Sequence, residues 1–224
     1  MAVLGVVTIG QAPRDDLVPE MVPLLPPARI VEHGALDGMS AAQIADLAPK
    51  PGEQPLTSRL ADGGSAVFGH DQVAPHVQRA VHRAERDGAD AVLIVCSGSF
   101  PPFESQRPLL FAEILAHHGV AALTAGARVG VIRPLPEQLD DAAQHWERTL
   151  GAPLAAADAA SPYTGGVADV ARAAGRIAAR CDLLVLDCIG YDEQMRAAAA
   201  QAAGLPVLLV RSLAARLVGE LLRS

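Results

Sequence analysis

Aromatic residues and basic charge are both scarce in this sequence. Its 224 residues include one Trp, two Tyr and four Phe, too few for a surface on which nucleic-acid bases stack. Lys and Arg together number 18 against 25 Asp and Glu, and the net charge of −7 argues against a basic face for nucleic acid. We therefore expect no nucleic-acid partner.

Long apolar runs and an N-terminal basic segment are missing as well. No apolar run approaches the ~18 residues that a membrane-spanning helix needs. The first residues, Met1–Gly5, lack the charged start of a signal peptide. We expect a cytoplasmic protein with no membrane partner. The cysteines, Cys96, Cys181 and Cys188, are odd in number and widely spaced, which does not suit a disulfide framework.

Half of the residues are hydrophobic, so the chain can bury a substantial core. Short, almost wholly apolar segments alternate with Ala-rich helical segments, a pattern typical of parallel strands covered by helices on both faces. The strands are predicted at Val3–Ile9, Ala28–Val31, Ala91–Val95, Val129–Ile132, Leu183–Leu186 and Val207–Val210. The helices are predicted at Asp71–Asp87, Glu137–Leu150, Gly166–Arg180, Asp192–Ala203 and Leu213–Leu222, and a small hairpin at Leu56–Gly69.

An internal repeat divides the chain. Gly88–Gly98 aligns with Arg180–Gly190, each containing Asp, a buried strand, Cys, one residue and Gly, and Leu4–Ile9 aligns with Val129–Pro134. The repeat predicts an α/β fold of two similar Rossmann-like lobes with parallel sheets, and ligands bind at the carboxyl ends of such strands. If the lobes face each other, Cys96 and Cys188 meet across a shared cleft.

The paired cysteines suggest proton-transfer chemistry. Each follows a buried strand and precedes a glycine-containing turn, where backbone N–H groups and a helix N-terminus favour the thiolate. Two thiols on opposite faces of one carbon form a two-base system for racemisation. Alternatively, one cysteine adds to the substrate as a nucleophile while the other serves as acid, or both simply pack in the core. Cys181 lies at the opposite end of its strand and is interpreted as structural.

Two loops supply candidate binding residues. Thr8, Gly10, Gln11 and Arg14 follow the first strand, where Gly10 permits close backbone approach and Arg14 offers a bidentate fork to a carboxylate. Arg14 is equally suited to pair with a neighbouring Asp.

Histidines give a weaker signal. His33 follows the second predicted strand and either reaches the site or is a hydrogen-bonded structural residue. His117 and His118 are predicted at an exposed helix end. Because no histidine shows metal-ligand spacing, we expect no metal.

Several motifs together resemble the AroM family over nearly the whole chain. They are V-V-T-I-G-Q-A-P-R, E-H-G-A-L-D-G, P-K-P-G-E, V-G-V-I-R-P-L-P-E-Q and L-L-V-L-D-C-I-G-Y. More distantly, the doubled strand–Cys arrangement is similar to the aspartate/glutamate racemase superfamily. That resemblance implies two lobes around a cleft, no cofactor and one cysteine from each lobe. The expected lobes are residues 1–118, to which a helix at 211–224 returns, and residues 119–210.

The superfamily resemblance also implies site residues. Cys96 and Cys188 match its two cysteines, and Ser97, Gly98 and Ser99 match the loop that binds the substrate carboxylate, whereas Thr8, Gln11 and Arg14 match by position only. The superfamily usually carries Cys-Asn-Thr or Cys-Asn-Ser at these points. Here Ile189, Gly190 and Tyr191 follow Cys188, so recognition of an α-amino acid does not follow from the resemblance. Tyr191 either donates a hydrogen bond to a ligand or packs at the lobe edge.

Three functions remain open from the sequence. The first is a cofactor-independent racemase or isomerase of a small carboxylate-bearing metabolite, with Cys96 and Cys188 as acid and base. The second is a non-catalytic carboxylate-binding or regulatory module on the same fold. The third is a hydrolase or lyase with one nucleophilic Cys and His33 as base. The Ala-rich helices suit a homodimer interface or intramolecular packing equally well.

Overall fold

The computed structural model describes residues 1–223, which form two compact units. The first unit contains Met1–Glu113 and the chain from Ala214 onward, and the second contains Ile114–Leu213. Each unit is built around its own four-stranded sheet, and all strand pairs within these two sheets are parallel. The predicted α/β class with two parallel sheets is therefore confirmed.

The first unit holds a sheet in the order β2-β1-β5-β6 and a separate antiparallel hairpin of β3 and β4. Its elements are β1 (Val3–Thr8), α1 (Val18–Met21), β2 (Arg29–Gly34), α2 (Ala41–Ala45), β3 (Pro55–Arg59), β4 (Ser65–Gly69), α3 (His70–Arg86), β5 (Ala91–Val95) and β6 (Leu109–Phe111). The hairpin predicted within Leu56–Gly69 is confirmed, and β6 is a strand that the sequence pattern did not reveal.

The second unit holds a sheet in the order β8-β7-β9-β10. Its elements are α4 (Ala112–Leu123, which begins at the unit boundary), β7 (Val129–Arg133), α5 (Leu139–Leu150), β8 (Ala156–Ala159), α6 (Val167–Ile177), β9 (Leu183–Leu186), α7 (Glu193–Ala203), β10 (Val207–Leu209) and α8 (Val210–Leu221, which ends in the first unit). Strand β8 escaped prediction, and α4 was anticipated only as a helix end near His117 and His118.

Strand register confirms the internal repeat residue by residue. One row across the first sheet contains Val31, Gly5, Val92 and Leu109. The corresponding row across the second sheet contains Ala156, Gly130, Leu184 and Val207. The two alignments made from sequence, Gly5 with Gly130 and Val92 with Leu184, thus fall in one consistent row. In both units the fourth strand also runs directly into a helix.

The core of each unit follows from apolar periodicity. All five residues of β5 and of β7 are buried, as expected for central parallel strands covered on both faces. Helix α3 buries one face through Val73, Val77, Ala80, Val81 and Ala84, whose spacing of three and four residues matches the helical turn. In the described part of the chain, no helix has both the length and the apolar character needed to cross a bilayer.

Candidate active site

The two candidate cysteines follow equivalent strands. Cys96 comes directly after β5, and Cys188 comes two residues after β9 ends. In each sheet this strand lies beside the first strand of the unit, whose other neighbour is the second strand. The first strand therefore lies between the second and third strands of its unit, and the strand order reverses there. Doubly wound folds bind ligands at such a topological switch point, at the carboxyl ends of the strands. Each cysteine lies beside the switch point of its own sheet.

The Cys96 thiol is held by its own loop. Cys96 is 6% exposed, and the backbone N–H of Gly98 donates to its Sγ at 3.2 Å. Ser97 is also buried, and the Ser99 hydroxyl donates to Glu113 Oε1 at 3.0 Å. These contacts give the predicted Ser97–Ser99 loop a fixed shape, while its role in binding a carboxylate stays a prediction.

The Arg14 guanidinium forms its hydrogen bonds with side chains of the first unit. Its side chain is 1% exposed, and Nη1 donates to Thr8 Oγ1 at 2.8 Å. Nε and Nη2 donate to the two carboxylate oxygens of Asp16 at 2.7 and 2.9 Å. Of the two alternatives that the sequence offered, the structure contains the ion pair with a neighbouring Asp. Arg14 therefore fixes the loop and orients the Thr8 hydroxyl at the end of β1.

Gly10 and Gln11 attach this loop to the β3–β4 hairpin. The Gln11 backbone N–H donates to the Arg59 carbonyl at 3.2 Å, and the Gln11 side-chain oxygen accepts from the Ala61 N–H at 2.9 Å. A Cβ at Gly10 would collide with that same Arg59 carbonyl and with the Ser58 hydroxyl. Glycine is thus required here for close approach, as predicted for the loop, although the partner is the hairpin.

His33 lies on β2, and its Nε2 is 3.0 Å from a carboxylate oxygen of Asp87 at the C-terminus of α3. The structure therefore gives His33 an acidic partner of its own. The sequence left two roles open for His33, one in the site and one in the structure. The contact with Asp87 agrees with the structural role.

The Cys188 loop repeats the geometry of the Cys96 loop. Cys188 is 5% exposed, and the backbone N–H of Gly190 donates to its Sγ at 3.4 Å. The hydroxyl of Tyr163, which follows β8, lies 3.7 Å from the same sulfur. Each thiol thus accepts a backbone N–H from the glycine two residues later, an arrangement that stabilises developing thiolate charge.

The residues after Cys188 are mostly structural in their contacts. Ile189 is buried, and its carbonyl accepts from Arg211 Nε at 3.0 Å. The Tyr191 ring is fully buried and its hydroxyl donates to the Ala160 carbonyl at 2.6 Å. Burial raises the pKa of the Tyr191 phenol well above its usual range, so the hydroxyl stays protonated. Tyr191 packs, which was one of the two predicted roles.

A buried charge network lies directly beside Cys188, and the sequence analysis did not find it. Asp187 is 0% exposed, and its carboxylate accepts from Arg133 Nη1 and Trp146 Nε1, each at 2.8 Å. His117 Nε2 lies 2.8 Å from the other carboxylate oxygen. Burial opposes ionisation, but Arg133 and His117 outweigh it and hold the pKa of Asp187 far below its usual range.

The network corrects one prediction and supplies one new residue. His117 is 3% exposed in the middle of α4, so its predicted placement at an exposed helix end is wrong; only His118 is exposed. The reason is that α4 continues to Leu123 and turns His117 toward the buried Asp187. Arg133 could have been found, because the sequence repeat aligns it with Thr8 at the end of the first strand.

Cys181 lies away from the switch point. It precedes β9, is 4% exposed, and its thiol donates to the Ile177 carbonyl at 3.3 Å. Burial raises the pKa of this thiol, which keeps it protonated. Its surroundings agree with the structural role that the sequence indicated.

Comparison with known proteins gives one family and one fold. A model of the AroM protein family matches residues 4–222. No curated protein sequence matches the chain significantly.

Among solved structures, the chain is similar to allantoin racemase from Klebsiella pneumoniae (TM-score 0.66, 16% identity, 100% of this chain and 88% of that chain). It is also similar to arylmalonate decarboxylase (0.62, 14%, 98% and 92%) and to glutamate racemase from Aquifex pyrophilus (0.62, 12%, 98% and 83%). At these identities the similarity establishes a racemase-like fold.

Proposed function

The chain belongs to the AroM family, and we propose that it is a cofactor-independent racemase or isomerase of a small carboxylate-bearing metabolite. Cys96 and Cys188 are the proposed acid and base. The observation that carries the proposal is their equivalence. They follow matching strands of two matching sheets, and each sulfur accepts the N–H of the glycine two residues later.

The proposed reaction moves two protons. One cysteine thiolate removes the proton on the carbon next to the substrate carboxylate, and the electron pair of that C–H bond delocalises into the carboxylate. The other cysteine, as a thiol, then donates a proton to the opposite face of the same carbon. The substrate leaves with inverted configuration, and the two cysteines have exchanged protonation states. No electron acceptor and no other reactant is consumed.

The surroundings of the thiols suit this chemistry. Each sulfur is nearly buried, so its charge is little screened by water and the backbone N–H is a preorganised partner for the thiolate. In the first unit, Arg14 acts by fixing Thr8 rather than by binding the ligand through its fork. We propose that the substrate carboxylate is held by Ser97, Gly98 and Ser99, whose loop follows directly from Cys96.

Hydrogen exchange in D₂O tests the proposal. Small amino and hydroxy acids and other carboxylates are incubated with the protein, and loss of the hydrogen next to the carboxylate is followed by NMR. We expect exchange with at least one substrate, abolished in both Cys96→Ala and Cys188→Ala. Cys181→Ala is the matched control and keeps the wild-type rate. If the three variants exchange equally fast, the two-thiol assignment is wrong.

A carboxylate-binding module is the second candidate, because both thiols and the Arg14 fork are already engaged by protein groups. Such a module would raise the Tm with a carboxylate ligand while no substrate hydrogen exchanges. Thermal denaturation and NMR on the same samples separate the two functions. The hydrolase alternative gains no support from His33, which contacts Asp87.

A further inference from the structure

The carboxylate of Asp187 is enclosed by donors from three separate elements. Arg133 comes from β7, His117 from α4 and Trp146 from α5. All four side chains are at most 4% exposed. Burying an ion pair of this kind gives little net stability, because desolvation offsets the attraction between the charges. Net stability therefore does not account for the network, and its contacts indicate a further role.

The network touches the peptide that carries Cys188. Arg133 Nη1 donates to the Asp187 side chain at 2.8 Å and also to the Asp187 main-chain carbonyl at 3.1 Å. That carbonyl belongs to the peptide bond between Asp187 and Cys188. The guanidinium is therefore hydrogen-bonded to the peptide group that joins Asp187 to Cys188. Burial opposes the charge of Arg133, but Asp187 and then Cys188 raise the pKa of the guanidinium above its usual value, so it stays charged.

We propose that Arg133 is a positioning residue for Cys188: clamped by Asp187, His117 and Trp146, its buried positive charge sets how readily the Cys188 thiol ionises. Asp187 has two effects in this arrangement. It fixes the guanidinium in place, and its own negative charge moderates the field that the thiol experiences. The inference rests on the proposed function of Cys188. The matching position in the first unit is Thr8, whose hydroxyl accepts from Arg14, so the surroundings of the two thiols differ.

Other polar groups also lie near Cys188. The Tyr163 hydroxyl lies 3.7 Å from the sulfur, and the Tyr191 phenol is neutral because burial raises its pKa. Arg211 is buried as well, and its Nε donates to the carbonyl of Ile189, the residue after Cys188, whereas Arg133 contacts Asp187, the residue before it. An Arg211→Gln variant measures its separate contribution.

The test is the pH profile of alkylation at Cys188. The full-length protein is treated with iodoacetamide over a range of pH, and peptide mass spectrometry reports modification at Cys188 and, as an internal control, at Cys96. Arg133→Gln removes the positive charge, so the midpoint of the Cys188 profile should move up by roughly 1 pH unit. Asp187→Asn removes a negative charge with little change in shape, so the midpoint should move down by a similar amount.

Two further variants separate charge from structure. Arg133→Lys keeps the charge without the planar fork and should leave the midpoint close to that of the wild type. Trp146→Phe removes one donor to Asp187 without changing any charge, so it should lower stability but not move the midpoint. Circular dichroism confirms that each variant is folded. If Arg133→Gln does not fold, the proposal is still tested by comparing the Cys188 midpoint of Asp187→Asn with that of Trp146→Phe.

Opposite shifts for Arg133→Gln and Asp187→Asn, with Cys96 unmoved, support the proposal. Shifts of the same sign, a shift in Trp146→Phe as large as in Asp187→Asn, or no shift would overturn it. Alkylation needs no turnover, so this result stands or fails separately from the exchange experiment in D₂O.

Discussion

Gly98 and Gly190 occupy matching positions after the two cysteines but have different neighbours. A Cβ added at Gly98 would lie 2.8 Å from Cδ2 of Leu56, the far end of a flexible side chain. A Cβ added at Gly190 would lie 2.5 Å from Cζ and 2.7 Å from Cε1 of the Tyr163 ring. Neither glycine has a positive φ, so alanine introduces a steric change without backbone strain.

The two substitutions should therefore differ in cost. Ordinary van der Waals contact begins near 3.4 Å, and both added methyl groups fall short of it. The Leu56 side chain can rotate away, so Gly98→Ala should cost less than about 1 kcal/mol of unfolding free energy. The Tyr163 ring is rigid, so Gly190→Ala should cost about 2 kcal/mol, a typical figure for overpacking. The ring can escape only by moving, which would take its hydroxyl away from Cys188.

Urea denaturation of Gly98→Ala, Gly190→Ala, Tyr163→Ala and the double variant Gly190→Ala/Tyr163→Ala measures this difference. Removing the ring removes the clash, so the double variant should be more stable than the sum of its single changes predicts, by about 1–2 kcal/mol. The reasoning is refuted if the single effects add to within about 0.5 kcal/mol, or if Gly98→Ala costs as much as Gly190→Ala.

Two more predictions follow from the buried titratable groups. Because the folded-state pKa of Asp187 is depressed, its ionisation adds stability above the unfolded pKa of about 3.9, and that stability is lost as pH falls toward the folded pKa. Asp187→Asn should thus be about 3 kcal/mol less stable than wild type at pH 7, with a smaller difference at pH 3; urea titrations showing a pH-independent difference would contradict this. Cys181 is buried and its pKa is raised, so in the native protein iodoacetamide should modify it more slowly than Cys188, and faster modification at Cys181 would exclude the structural role.

Central strands were predictable from the sequence because their signal is local. Strands β5, β7 and β9 come from short, almost wholly apolar runs that alternate with helical segments, a pattern typical of parallel strands covered on both faces. The edge strand β8 has the sequence Ala-Ala-Asp-Ala, which has no β-branched or aromatic residue and little intrinsic preference for a strand. It is extended because it pairs with β7, and that tertiary contact leaves no mark in its own residues.

The candidate site was predictable where it repeats. Aligning the two halves placed Cys96 and Cys188 at matching strand ends, and the observed register agrees with that alignment. The same alignment pairs Arg133 with Thr8, a candidate site residue, and could therefore have predicted Arg133 as a site residue of the second unit. The partner of Asp187 on α4, His117, comes from a distant part of the chain, and no local pattern connects the two residues.

The equivalence of the backbones and the difference between the side chains have a kinetic consequence for the proposed reaction. Arg133 contacts the peptide that carries Cys188 and the side chain of Asp187, whereas the matching position of the first unit is Thr8, whose hydroxyl accepts from Arg14. In a two-thiol racemase each cysteine, as the thiolate, removes the proton from one enantiomer. If the two thiols differ in acidity, the enzyme form with one cysteine ionised is more populated than the form with the other ionised. The equilibrium constant between enantiomers is one, so kcat/KM must nevertheless be the same in both directions. The asymmetry can therefore appear only as kcat and KM that differ together between the enantiomers, and Arg133→Gln should change that difference while leaving the two kcat/KM values equal to each other.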